Sequence, residues 1–135
     1  MNTTYTTILN ATAKDAHQEW SNMQWTKAKH EKLINQLQEE FTGSHPEFMN
    51  ILSPVQHIDY EFTPIHAMEE SQYAEAFEKY PLLAEIYGLT IQYHALRQRH
   101  LGRIDVLCHT WEALTGSHAN FDLIRNECES ALAAL

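Results

Sequence analysis

Positions Leu9, Ala13, Ala16, Trp20, Met23, Lys27, His30, Ile34, Leu37 and Phe41 follow one another in alternating steps of four and three, with Lys27 and His30 the two polar exceptions. That spacing returns to one face of a helix. Thr12 with Asp15 offers an N-cap and Gly43 a stop, so the pattern predicts a helix over about 12–41. A second series, Leu82, Ile86, Leu89, Tyr93, Leu96, His100, Ile104, Leu107, Trp111 and Leu114, predicts another long helix over about 81–115, between Pro81 and Gly116. Its doubled step from His100 to Ile104 falls beside Gly102, where a kink or break is expected.

Two to three shorter helices fill the remainder. Ser44-His45-Pro46-Glu47 reads as a capping box opening a helix through Leu52, and Ser53-Pro54 begins a further turn. Thr63-Pro64 opens another, with Ile65, Glu69, Tyr73, Ala76 and Tyr80 inward and Pro81 as its end. The last runs from about Ser117 along Phe121, Ile124, Cys128, Ala131 and Leu135. Strand alternation reaches only four or five residues near 57–62, so the fold expected is all-α: a single-domain antiparallel helical bundle over 1–135.

Composition narrows the function classes. Nine Lys and Arg stand against 18 Asp and Glu for a formal net charge of -9, which disfavours nucleic acid or an anionic membrane as partner. No 18-residue apolar run and no secretory signal pattern are present, and two cysteines without C-x-x-C fit a reduced, cytoplasmic protein. The 4 glycines stand apart, which removes the clustered-glycine phosphate loops, and no cofactor is expected. The nine histidines equal Lys and Arg combined, so protonating them would cancel the net charge.

Charge is also uneven. Residues 27–32 carry a net +2 and 97–103 a net +3, near the midpoints of the two long helices, where Lys27, His30 and His100 interrupt the apolar seams. A Lys or His in a core needs a hydrogen-bonding or charged partner, and Glu69 is the candidate. Lys27, His30, Arg97 and His100, with Glu69, therefore form a candidate polar layer for a small anionic ligand, while such layers also commonly set helix register. His94, Asp105, His109 and Glu112 share another face, within about 60° of one another, and read as a solvated surface. Trp25 lies off the first seam, either packed on a neighbouring helix, the expectation, or exposed as an interface anchor.

His30-Glu31-Lys32-Leu33-Ile34-Asn35-Gln36-Leu37 and His66-Ala67-Met68-Glu69-Glu70, with Tyr80-Pro81 following, resemble the first two ligand-bearing helices of haemerythrin-like proteins. The resemblance implies a four-helix bundle with a di-iron centre to which His30, His66 and Glu70 would contribute. It covers those two segments only. The third helix offers Glu85 and Leu89 instead of H-x-x-x-H, and His118 with Asp122 is one residue short of H-x-x-x-x-D. No nucleophile and base, and no carboxylate pair, stand out as catalytic. The function expected is a small acidic helical-bundle interaction protein without catalytic activity, engaging a protein partner or a second copy of itself; the alternative is a bundle binding a small anion or a metal.

Overall fold

The computed structural model describes residues 3–40, 52–59 and 70–134. Among the described residues four α-helices follow in order: α1 (Thr3–Glu40), α2 (Glu70–Lys79), α3 (Pro81–Thr115) and α4 (Phe121–Ala133), with a 3-10 turn at Ser53–Val55 before α2. The fold is all-α, built on the two long antiparallel helices, with no strand among the described residues. The predicted helix at 44–51 and the opening of the next at 63–69 lie outside the described residues.

α1 begins nine residues before the expected cap. Thr12 is inside the helix, its hydroxyl bonding back to the carbonyls of Ile8 at 2.9 Å and Leu9 at 3.2 Å, which satisfies a residue otherwise prone to leave helices. The extension is held by Tyr5, fully buried one turn before Leu9; burial of a large aromatic outweighs the modest helix propensity of the threonines around it.

Pro81 separates α2 from α3 and serves as the first residue of α3, where the missing N–H costs no helical bond. α3 continues without interruption through Gly102, so the expected break is absent. Gly102 faces open space, and the buried His100, Ile104 and Leu107 on either side of it anchor the helix. Gly116 does stop α3: at φ +70 it adopts the left-handed conformation of a helix terminator while its N–H reaches the Glu112 carbonyl at 2.8 Å. α4 is capped by Asn120, whose side-chain oxygen accepts from Leu123 N–H at 2.8 Å, and not by Ser117. Ala119 is buried immediately before it, which places the cap three residues later than expected.

The residues cluster into two compact units, Met1–Met23 with Leu96–Leu135, and Gln24–Ala95. In the first, Tyr5, Leu9, Ala13 and Ala16 of α1 pack with Ile104, Leu107 and Cys108 of α3 and Ile124 and Cys128 of α4. Tyr5 and Trp111 meet edge to face with ring centres 4.9 Å apart. Both cysteines are free and buried, and burial pushes the Cys128 thiol up to about 11. Phe121, expected inward, is exposed, as is Leu114 at the end of the second seam. In the second unit, Leu33, Ile34 and Leu37 of α1 pack with Leu83, Ile86 and Leu89 of α3 and with Leu52 and Val55 beside the 3-10 turn. Ala76 of α2 and Tyr80, between α2 and α3, sit half-buried on this core. No helix among the described residues is long and apolar enough to cross a membrane.

Candidate functional site

In the first unit the seam of α1 shifts by one position, and Glu19, next to Trp20, is carried inside at 7% exposure. A buried carboxylate needs charged or donor partners. Arg103 of α3 supplies a two-pronged one, Nε to Oε1 at 2.9 Å and Nη2 to Oε2 at 3.0 Å, the fork geometry that suits guanidinium to carboxylate. One turn before Arg103, His100 is fully buried with Nδ1 3.5 Å from Glu19 Oε1, beyond a good hydrogen bond. Its Nε2 accepts from Arg125 Nε–H of α4 at 3.1 Å. The Arg125 guanidinium lies 4.0 Å over the Trp20 ring and also bonds Asp122 at 3.1 Å.

These contacts fix the chemistry of His100. A ring nitrogen that accepts from Arg125 carries no proton, so the neutral ring holds its hydrogen on Nδ1, toward Glu19. Burial lowers the affinity of His100 for a second proton, and the facing Arg125 cation lowers it further, against an opposing pull from Glu19. With no exposed edge and its lone pair engaged, His100 offers nothing to an external ligand; it ties three helices together. Beside it, Asp15 and Glu19, Arg99 and Arg103, and the amides of Gln18 and Asn22 line an open groove of about 340 Å3. Its walls carry equal numbers of acids and bases.

The second unit holds the other two candidates. His30, 2% exposed, donates from Nε2 to the Val55 carbonyl at 2.6 Å. Burial lowers its proton affinity, with the Val55 bond opposing. Lys27 is half-exposed and pairs with Asp59 at 2.8 Å, which holds the ammonium above its ordinary value. The second Asp59 oxygen accepts from Tyr93 OH at 3.2 Å.

Each sequence candidate can now be located. Lys27 and His30 bind the segment around the 3-10 turn; His100 belongs to the Glu19–Arg103–Arg125 network; Arg97 is exposed on α3. Glu69, the expected partner, lies outside the described residues, as does His66, and the partners found are Asp59, Val55, Glu19 and Arg125. Of the metal alternative, His30 Nε2 is engaged by Val55, and nothing is described for the Glu70 side chain. Among the described residues no three His, Cys, Asp or Glu side chains gather to hold a metal. Asp105 and His109 are exposed, as expected, but His94 is half-buried against Tyr93. Trp25 is 59% exposed, which corrects the expectation that it packs on a helix.

Glu19, Asp59 and Arg125 escaped the sequence reading. The one signal available was that steps of three and four also fit Ala16, Glu19, Met23, Thr26 and His30, a path that only a known partner for Glu19 would have favoured over Trp20 and Lys27. No family model matches this chain, and no curated protein or solved structure matches it.

Proposed function

We propose that this chain is a small acidic interaction protein without catalytic activity, whose protein partner docks on the Trp25 face of α1. The observation that carries the reading is the 59% exposure of Trp25. An indole left in water on a rigid helix is the kind of side chain that dominates interface energies. Lys29 holds its ammonium 5.1 Å over the indole, and Ala28, Lys32 and Gln36 continue the same exposed face, while Glu31 lies about 120° around the helix. Aromatic and cationic groups side by side on a molecule of net charge -9 suit a partner with an acidic patch around an apolar pocket. Of the groups considered for a small anion, Lys27, His30 and His100 have partners within the protein and Arg97 stands exposed on α3 apart from them, which favours the interaction reading over the anion reading. Two free, buried cysteines support a reducing compartment, the cytoplasm.

The test is affinity capture from cells with the wild-type chain, Trp25→Ser and the exposed control Gln92→Ser, with light scattering of the same purified variants to read self-association. A partner or dimer held by wild type and Gln92→Ser and lost by Trp25→Ser is expected. Equal capture by all three, with unchanged mass, overturns the reading.

A further inference from the structure

The second proton on His100 has only one place to go. Nδ1 already carries a hydrogen, so the added one sits on Nε2, directly facing the Arg125 Nε–H that is 3.1 Å away. A donor would then meet a donor, and a cation would meet a cation, inside a site with no exposed edge. Glu19 does not relieve this: both its oxygens are held by Arg103, and it lies on the Nδ1 side. Arg125, in contrast, has somewhere to go, since it is partly exposed and already bonded to the exposed Asp122.

We propose that α4 is an acid-released latch: protonation of His100 expels Arg125 from its seat between His100 and Trp20 and lets α4 lift from α1 and α3.

The charged groups around the seat set the direction. From α1 comes Glu19, from α3 Arg103, and from α4 Arg125 with Asp122. Two further polar ties join α4 to α1, Tyr5 OH to Glu127 at 3.0 Å and His17 to Glu129 at 2.8 Å. Neither of these two ties involves His100 or Arg125. The latch therefore opens by loss of the Arg125 tie alone, with α4 loosening locally while the chain stays folded. Opening bares the buried faces of Ile104, Leu107 and Cys108 that α4 covers through Ile124 and Cys128.

Hydrogen exchange of residues 121–133 in the intact protein, normalised to intrinsic rates, tests this at about pH 7.5 and about pH 5. A single linked proton raises the opening equilibrium by up to about tenfold for each pH unit below the ordinary histidine value, so wild-type α4 should lose protection on going to about pH 5, by no more than that factor per unit. His100→Gln presents a carbonyl to Arg125 that does not titrate, and should keep the same protection at both pH values. Arg125→Met keeps an apolar stem over Trp20 without a cation, and should be equally insensitive to pH at a lower protection. Circular dichroism establishes which variants are folded, and either one suffices. Unchanged wild-type protection overturns the latch, as does an acid loss in the folded variants as large as in wild type, which would assign the effect to other groups.

Discussion

His30 and His100 are both buried, both sit on the inner seams of long helices and both resist protonation, yet they are wired in opposite senses. His30 donates from Nε2 to a carbonyl, so a second proton would enter at Nδ1 and leave that bond intact. His100 accepts at Nε2 from a guanidinium, so a second proton destroys the bond it enters. The same residue type at equivalent depth is thus a clamp in one unit and a trigger in the other, decided by whether the facing partner accepts or donates. The ion pairs beside them differ as well. Glu19 is buried with a two-pronged Arg103, whereas Lys27 and Asp59 keep 42% and 56% exposure.

The largest contrast should come from those pairs. Glu19→Ala leaves Arg103 without its fork and His100 Nδ1 facing no carboxylate; removing one partner of a buried pair costs about 3–5 kcal/mol, and about 2–4 kcal/mol is expected because Arg103 keeps 29% exposure. Lys27→Ala, breaking a solvated pair, should cost less than about 1 kcal/mol. Urea denaturation of both variants at neutral pH measures the difference. Costs equal within error would mean that the two pairs are not distinguished by burial.

Next in size is the pair of histidines themselves. Replacing His30 by Leu leaves the Val55 carbonyl without its donor and should cost about 1–3 kcal/mol, while His100→Leu should cost less, because Arg125 retains Asp122 and Trp20. Their pH signatures share a sign. Both folded-state values lie below the ordinary 6.5, so under acid the unfolded chain takes up protons that the folded chain refuses. Their contribution is present above 6.5 and is lost as pH falls from there toward the folded values. Urea midpoints should therefore decline from about pH 7.5 to about pH 5, and each Leu variant should flatten part of that decline. A wild-type midpoint that rises on acidification over this range would contradict both assignments.

The periodicity made the two long helices legible, and with them most of the seam: Leu9, Ala13, Ala16 and Met23 on α1 and Ile86, Leu89, Tyr93, Ile104 and Leu107 on α3 are all buried. The polar members of the seam were legible too, since His30 and His100 stand where an apolar residue is expected. Their partners were not. Glu19 and Trp20 are adjacent and both satisfy helical spacing, so only the position of Arg103 and Arg125 decides which turns inward. Val55 in the 3-10 turn and Asp59 just after it reach α1 from more than 20 residues away in sequence. Helix periodicity records which face is covered but not which loop atom covers it, and polar contacts over such separations leave no spacing in the chain. Trp25 is a different case. It lies off the seam, as its spacing predicts, but of the two environments open to it there, cover by a neighbouring helix or exposure, it takes the second, and periodicity does not distinguish them.

The smallest effect separates a constraint from a residue merely tolerated. Gly102 was expected to mark a break, and α3 runs straight through it. A Cβ at Gly102 would meet no atom within 4 Å, in contrast to Gly116, whose φ of +70 an alanine would adopt only with strain. Gly102→Ala should therefore stabilise the protein by about 0.5–1 kcal/mol, the helix-interior difference between the two residues, whereas Gly116→Ala should destabilise it by about 1 kcal/mol. Thermal melts of the two variants give the sign directly. If Gly102→Ala also destabilised, while helix content by circular dichroism stayed constant, then glycine at 102 would be needed for some contact in solution that the open space around it does not reveal.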